Sequence, residues 1–387
     1  MPGRFDTILI VIFLFVQTRI TILLMRAAKR RLTGAALLAA RIGIALFDFV
    51  LLIGYVLSYS DVTARLPMSG EFTSIAGAAA LVYLTVASGI SVLELAVRLT
   101  RKRLARDMDP GRRRVLNAAG NVVLAAPLAF VGYGYVRRND FHVRELDVPI
   151  PELPRDLDGL RILQLSDIHL SAFLSESELA RVVDAAMQTR PHLAVITGDL
   201  ISSRNDPLDA CIRQLARVRA DAGVFGCMGN HERYAKAEDY TQQAAARRGI
   251  RFLRSEAQAL RFGNATLNLA GVDHQSKAGG HRYLVGAEQL VQPGSVNVLL
   301  SHNPDVFPVA ASQGYNLMLA GHTHGGQVTI EILDQSVNPA RFFTPYVYGL
   351  YRSGGASAYV TRGIGTIGIP ARIGAPPEIS VLRLRKA

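Results

Sequence analysis

The chain has 387 residues, of which 49% are hydrophobic and only 19% are charged, a composition that excludes disordered and fibrous proteins. The net charge of +12 is unevenly distributed, because residues 1–144 hold 19 basic and 8 acidic residues, whereas residues 145–387 hold 24 and 23. Basic residues concentrated in an apolar part are typical of membrane proteins, so nucleic acid is not expected as a partner.

Four apolar stretches come first, each near the roughly 20 residues that a membrane-spanning helix requires. They cover residues 8–25, 35–57, 75–97 and 115–136. The ionisable residues inside them favour a structural interpretation. Asp48 lies two turns from Arg41 on one helical face, where the two could pair, and Arg41 and Glu94 lie near enough to helix ends for their charges to reach water.

The loops between these stretches differ in charge. The loops after the first and third stretches are strongly basic, whereas the loop between the second and third has only Arg65 against Asp61 and Glu71. The positive-inside rule places both basic loops in the cytoplasm, so everything after Val136 is expected outside the cell membrane. Arg112–Arg114 resemble a twin-arginine export signal, with ordinary topology charge as the alternative.

From about Asp140 the composition becomes that of an α/β domain. Apolar runs predict strands at 160–165, 193–197, 224–228, 296–300 and 317–320, and Ser175 with Glu178 predicts a helix start. Short β-like runs over 328–384 predict a second, more antiparallel sheet. We therefore expect a membrane anchor of four transmembrane helices over 1–139, a proline-containing linker and domain entry over 140–159, and a folded domain over 160–387.

Each of the five predicted strands is followed by residues of metal-binding types. The segments are Ser166-Asp167-Ile168-His169, Gly198-Asp199, Gly229-Asn230-His231-Glu232, Ser301-His302 and Gly321-His322-Thr323-His324-Gly325-Gly326. Ligands bind beyond the carboxyl ends of strands in α/β sheets, so these segments are expected to converge. No single segment is decisive, but besides Glu232 they together present two carboxylates, one amide and five imidazoles.

The ordered set D-x-H, G-D, G-N-H-E, a later H and G-H-x-H resembles the calcineurin-like metallophosphoesterases. The resemblance runs from about Arg161 to the C-terminus, and G-H-T-H-G-G-Q behind hydrophobic helices is similar to the membrane-attached bacterial branch. It implies an α/β fold, a four-layer α/β/β/α sandwich of two sheets between helices, preceded by a four-helix transmembrane region.

The resemblance also implies a site for two divalent metal ions. It assigns Asp167, His169 and His324 to one ion, Asn230, His302 and His322 to the other, Asp199 to both as a bridge, and His231 to protonation of the leaving-group oxygen. Two cations clamp the oxygens of a phosphoester during attack. Mixed nitrogen and oxygen ligands suit Mn, Fe or Zn and do not distinguish among them.

Other residues receive weaker assignments. Arg362, in the glycine-rich stretch 361–366, either binds a substrate phosphate or belongs to a plain turn. Glu232 is expected to orient a histidine, and Asp273-His274 either reach the rim of the site or form a turn. Cys211 and Cys227 are expected to be buried and inert.

The expected activity is hydrolysis of a phosphodiester, phosphomonoester or pyrophosphate bond, in a lipid-linked or envelope substrate. One alternative is the UDP-diacylglucosamine pyrophosphohydrolase of lipid A synthesis, but its substrate is cytoplasmic, which conflicts with the expected topology. An alternative of another class is a non-catalytic metal-binding scaffold or sensor in the membrane. Loss of a ligand or of the proton donor would favour the scaffold, and the sequence retains all of them.

Overall fold

A computed structural model of the chain describes residues 4–56, 70–104, 110–276, 283–327, 329–332 and 335–387. The chain divides into two compact units. The first consists of Met1–Thr63 and Phe72–Tyr133, and the second of Ala64–Glu71 and Gly134–Ala387.

The N-terminal part is helical, as its apolar stretches predict. Its helices are α1 (Arg4–Arg31), α2 (Gly34–Val56), α3 (Gly70–Leu104) and α4 (Pro110–Arg137). Within the described residues, three segments are long and apolar enough to cross a membrane: Val11–Arg31, Gly34–Val56 and Ser74–Val97. The fourth predicted stretch lies in α4, but 10 of its 22 side chains, and those of Arg112–Arg114, lie outside the described residues. Its membrane-spanning role therefore stays a prediction.

Polar side chains within α1–α3 pair with one another. Asp48 accepts hydrogen bonds from Thr21 at 2.8 Å and from Gln17, and Glu94 forms an ion pair with Arg19. The predicted pairing of Asp48 with Arg41 is therefore wrong, and Glu94 is held by a partner on another helix. The physical reason is that an apolar environment favours satisfying a charge within the bundle.

The second unit contains two six-stranded sheets. The first has the order β1 (His142–Ile150), β14 (Glu378–Lys386), β2 (Arg161–Leu165), β3 (Leu193–Ile196), β4 (Val224–Gly226) and β5 (Ile250–Phe252). The second has the order β12 (Gly349–Ser353), β13 (Ala356–Val360), β9 (Leu317–Ala320), β8 (Val296–Leu300), β7 (Ala265–Gly271) and β6 (Glu256–Phe262). A separate antiparallel pair is formed by β10 (Ile330–Ile332) and β11 (Gln335–Val337).

Five helices accompany the sheets: α5 (Glu176–Gln188), α6 (Leu208–Leu215), α7 (Asn230–Ala235), α8 (Glu238–Ala246) and α9 (Phe307–Ser312). Short 3₁₀ turns lie at Arg155–Leu157, Ala287–Leu290, Pro304–Val306, His324–Gly326 and Pro339–Phe342. The predicted capping box begins α5, because the Ser175 side chain accepts the Glu178 N–H and Glu178 accepts the Ser175 N–H.

Successive side chains along each buried strand point to opposite faces of the sheet, so they pack into separate hydrophobic cores. In β2, Ile162 packs between the two sheets, whereas Leu163 packs with the side chains of α5, α6 and α8. In β8, Val298 likewise lies between the sheets, and Leu299 packs with α9. Strands buried on both faces require covering layers on both sides. The predicted four-layer α/β/β/α sandwich is confirmed.

Two details differ from the sequence-based expectation. The predicted linker contains β1, which pairs in parallel with β14 from His142↔Glu378 to Ile150↔Lys386 and buries Val148 and Ile150. The second sheet is mainly parallel, with antiparallel pairs only at its two edges. The tail supplies β12 and β13 to it but sends β14 to the first sheet, because non-local pairing rather than local pattern selects a strand's neighbour.

Candidate metal centre

The five motif segments meet at the carboxyl ends of strands from both sheets. Asp167 and His169 follow β2, Asp199 follows β3 and Asn230 follows β4 of the first sheet. The second sheet contributes His302 after β8, with His322 and His324 after β9. The convergence expected from the sequence is present, but it joins the edges of two sheets rather than one.

The backbone at this edge is bent at the proposed ligand positions. Five of them have positive φ angles: Asp167 at 50°, His169 at 46°, Asp199 at 56°, His322 at 75° and His324 at 53°. This conformation is unfavourable for residues other than glycine and is concentrated at functional sites. The fold therefore sustains local strain here while directing these side chains towards one another.

Glycine permits the closest backbone approach in the site. A Cβ atom placed on Gly198 would lie 2.5 Å from the Gly229 nitrogen, and one placed on Gly229 would lie 2.1 Å from Oδ1 of Asp199. Any side chain at either position would separate the loops after β3 and β4. These glycines therefore allow Asn230 and Asp199 to share the site.

Two clusters of ligand atoms overlap at Asp199. In the first, Nε2 of His324 lies 3.1 Å from Nε2 of His169 and 3.3 Å from Oδ1 of Asp167. In the second, Asp199 is grouped with His302 and His322, all ligand atoms lying within 4.8 Å of one another. Oδ2 of Asp199 is 3.0 Å from Nε2 of His302 and 3.5 Å from Nε2 of His169, so this carboxylate contacts both clusters.

The buried polar atoms of the site fit divalent metal ions. Oδ2 of Asp167, Oδ1 of Asn230 and Nε2 of His302 are buried and make no hydrogen bond among the described residues. A buried polar atom without a partner costs about 1–3 kcal/mol. Three such atoms beside further imidazoles and a second carboxylate form a ligand set that cations would satisfy, with His302 losing its proton on binding.

Hydrogen bonds behind two of the histidines set which ring nitrogen faces the site. Nδ1 of His302 lies 2.6 Å from the Thr197 carbonyl oxygen, and Nδ1 of His231 lies 2.6 Å from the Ser202 carbonyl oxygen. A carbonyl only accepts, so each Nδ1 donates its proton and Nε2 of the neutral ring is left with a lone pair. Nε2 of His302 lies 3.0 Å from Oδ2 of Asp199, whose negative charge favours a second proton on this ring while no cation is bound.

Burial and neighbouring charges set the protonation of the site. Burial lowers the pKa of His169 and His324 well below the ordinary value and that of His322 to about 4. Burial raises the pKa of Asp199, but the neighbouring histidines, His302 first, outweigh it and hold the pKa well below its usual range. Burial lowers the pKa of His302, and the Asp199 charge reverses this to about 10. Neutral imidazoles and an ionised carboxylate are the forms that bind metals, so His169, His322, His324 and Asp199 are in the binding form, whereas His302 first has to lose a proton.

Glu232 acts on the backbone rather than on a histidine. Its buried carboxylate accepts the N–H groups of Gly229 at 2.8 Å, Asp199 at 2.9 Å and Leu200 at 2.7 Å. The predicted orientation of a histidine side chain is therefore replaced by a clamp that joins the loops after β3 and β4.

Two residues at the site carry no recognisable sequence signal. Ser202 contacts Nδ1 of His169 through its hydroxyl at 3.0 Å, in addition to its carbonyl contact with His231. Arg372 is fully buried and donates to the carbonyl oxygens of His324, Arg362, Gly365 and Ala375. Its Nη2 also lies 3.3 Å from Nδ1 of His324. Single polar residues outside any motif could be found only through their spatial neighbours.

The weaker assignments lie at the periphery. Arg362 stacks over Tyr348 at 4.3 Å and lies against Gly325, and its Nε is buried without a hydrogen bond among the described residues. The His274 ring lies 5.6 Å from His322, which supports the rim interpretation over an unrelated turn. Cys211 and Cys227 are free and buried, as predicted.

Comparison with known proteins agrees with this geometry. The family model described as Calcineurin-like phosphoesterase matches residues 160–326. The uncharacterized metallophosphoesterase YkuE of Bacillus subtilis is 29% identical over 281 residues, covering 71% of this chain and 97% of that protein. The phosphodiesterase YaeI of Escherichia coli is 28% identical over 232 residues, covering 58% of this chain and 82% of that protein.

A relative with membrane helices extends the similarity. The transmembrane protein with metallophosphoesterase domain of Bos taurus is 30% identical over 327 residues, covering 79% of this chain and 71% of that protein. Together with the site geometry, these matches show that the chain belongs to the calcineurin-like phosphoesterase family of metal-dependent phosphoester hydrolases.

Proposed function

We propose that this protein is a membrane-anchored phosphodiesterase with a two-metal site. The observation that carries the proposal is the position of Asp199, whose Oδ2 atom contacts histidines of both ligand clusters. A bridging carboxylate is what holds two cations at a fixed separation. The name of the relative YaeI supports phosphodiester hydrolysis over the other two bond classes.

The proposed ligands divide between two ions. Asp167, His169 and His324 hold one ion, Asn230, His302 and His322 hold the other, and Asp199 binds both. Mn, Fe and Zn all suit this set. Divalent ions in such a site supply Lewis-acid polarisation of the phosphoester and clamp its attacking and leaving oxygens. The protein keeps His169, His322 and His324 neutral and its bridging carboxylate ionised before any ion binds, whereas His302 has to release a proton on binding.

His231 is the proposed proton donor to the leaving oxygen. Its backbone N–H donates to Oδ1 of Asp199 at 2.9 Å, which places it beside the bridge. The Ser202 carbonyl engages Nδ1, so Nε2 is the atom that faces the substrate, and it transfers a proton when the ring is in its imidazolium form. The ring is only half-buried, in contrast to the fully buried ligand His169, which suits a residue that contacts substrate.

The proposed substrate is a lipid-linked or envelope phosphodiester. Arg362 is available to bind its phosphate, because its Nε has no hydrogen bond among the described residues and Tyr348 orients its guanidinium plane. The basic loops of the N-terminal half favour an extracytoplasmic catalytic domain. An Arg352→Cys variant tests this, since Arg352 is exposed and both native cysteines are buried. We expect an impermeant maleimide to label this variant in intact cells. Labelling only after lysis would place the catalytic domain in the cytoplasm.

The experiment for the activity is hydrolysis of bis-p-nitrophenyl phosphate by the full chain in detergent. The protein is first stripped of metal and then titrated separately with Mn, Fe and Zn, with p-nitrophenyl phosphate as the monoester comparison. We expect metal-dependent turnover that is faster for the diester. A folded chain that binds no metal, or binds two ions per chain without hydrolysing either ester, would contradict the proposal.

A further inference from the structure

Two loops flanking the metal centre expose large apolar side chains. The first begins at Asn338, whose side chain donates to the Gly325 carbonyl at 2.9 Å, one residue beyond His324. The 3₁₀ turn Pro339–Phe342 follows, leaving Phe342 83% exposed and Phe343 53% exposed. Neighbouring phenylalanines with this exposure are unusual on a soluble surface and mark an interaction site.

The second loop is attached to the same motif segment. The Ile367 N–H donates to Oε1 of Gln327 at 2.9 Å, and the Gln327 amide donates back to the Ile367 carbonyl at 3.1 Å. Ile367 is 36% exposed. Gln327 and Asn338 therefore anchor both apolar loops to the segment that carries His324.

The C-terminal end of α4 packs against residues that follow the second loop. The Arg372 N–H donates to the Gly134 carbonyl at 3.0 Å, and a Cβ atom on Gly134 would lie 2.7 Å from the Ile373 side chain. The next two residues, Tyr135 and Val136, are exposed, and Arg138 stacks over the Tyr135 ring at 3.9 Å. Aromatic and basic residues in this combination are typical of the membrane–water interface.

We propose that Tyr135, Val136, Phe342, Phe343 and Ile367 form an apolar rim that docks on the surface of the lipid bilayer. We favour a bilayer as the partner of this rim because only four residues separate the end of α4, the proposed fourth membrane helix, from β1. The rim is therefore held close to the membrane in which α4 would be anchored. Tethering keeps a bilayer at high effective concentration near this surface. Arg138 and Arg341 add positive charges that suit anionic headgroups.

Docking would bring the metal centre to the depth of lipid headgroups, since the rim loops and the ligand His324 are attached to one segment. The substrate class that fits is a phosphoester whose alcohol or diglyceride stays in the membrane. This proposal rests on the proposed membrane anchoring but not on catalysis.

The chain contains no tryptophan, so a single introduced indole reports its own surroundings. A Phe342→Trp variant of the full chain, reconstituted in vesicles of phosphatidylcholine and phosphatidylglycerol, is compared with Tyr240→Trp. Tyr240 is also exposed, at 47%, but it lies on α8 and donates a hydrogen bond to Asp209. We expect a blue-shifted emission for Phe342→Trp and quenching by lipids brominated near the headgroup, with neither effect at Tyr240→Trp. Equal quenching at both positions would overturn the proposal.

A second variant separates docking from chemistry. Phe342→Ser is expected to hydrolyse bis-p-nitrophenyl phosphate at the parent rate, while its kcat/KM for a vesicle-borne phosphatidyl p-nitrophenol falls roughly three- to tenfold. An unchanged ratio of the two activities would reject the rim. Inactivity of the parent chain on both substrates would refute the proposed function while leaving the quenching result valid. Equal quenching at the two positions, together with a smaller oligomer of Phe342→Ser in detergent, would reassign the rim to a second copy of the chain.

Discussion

Replacing Asp199 with asparagine removes one negative charge while preserving the shape of the side chain. Oδ1 of the new amide can still accept the His231 N–H, which lies 2.9 Å away in the parent protein. The amide nitrogen then takes the position of Oδ2, 3.0 Å from Nε2 of His302 and 3.5 Å from Nε2 of His169. An amide nitrogen does not bind a cation, so the contact shared by the two clusters is lost.

The expected magnitude follows from the charge and its distance. A unit charge about 3 Å from a unit charge of opposite sign contributes about 5 kcal/mol at an effective dielectric constant of about 20. A loss of that size in the transition state corresponds to roughly three to four orders of magnitude in rate. We therefore expect kcat/KM of Asp199→Asn to fall by at least about a thousandfold, with fewer than two tightly bound ions per chain.

The assay combines hydrolysis of bis-p-nitrophenyl phosphate with metal content measured after gel filtration in detergent. Asp209→Asn is the matched control, since Asp209 is exposed on α6 and binds only the Tyr240 hydroxyl among its described contacts. The control should keep both ions and full activity. An Asp199→Asn protein that retains two ions and more than a tenth of the activity would refute the bridging role.

Two further substitutions test neighbouring parts of the site. His231→Gln is expected to lower kcat by roughly 10²–10⁴-fold with two ions still bound. The loss should be larger for an alkyl than for a p-nitrophenyl leaving group, because the alkoxide needs the proton more. Equal losses for the two leaving groups would argue against proton donation. Arg372→Met removes the donors of four buried carbonyls and is expected to destabilise the metal-free fold by about 3 kcal/mol or more. Its melting temperature is compared with that of Arg352→Met, a variant at an exposed position of β12. Equal melting temperatures would contradict the structural role of Arg372.

Much of the site was predictable because each part of it is local in sequence. A buried strand followed at once by Asp167, Asp199 or His302 is a short-range pattern, and parallel strands present their carboxyl ends at a common edge. The capping box at Ser175 is equally local, since both of its hydrogen bonds span three residues. Patterns of this range indicated the α/β class and the five motif segments, whereas the four-layer sandwich and the ligand assignments were implied by the resemblance to the calcineurin-like metallophosphoesterases.

Contacts between distant residues were decided only by the tertiary structure. The pairing of β1 with β14 joins residues about 236 positions apart, and no local pattern distinguishes an edge strand from a linker. Asp48 likewise accepts hydrogen bonds from α1 rather than from its own helix, and spacing along one helix does not reveal a partner on another. The contacts of Glu232 with two loops, and those of Arg372 behind His324, could likewise not be read from local sequence. A buried polar group pairs with whichever donors and acceptors the packed chain brings within hydrogen-bonding distance.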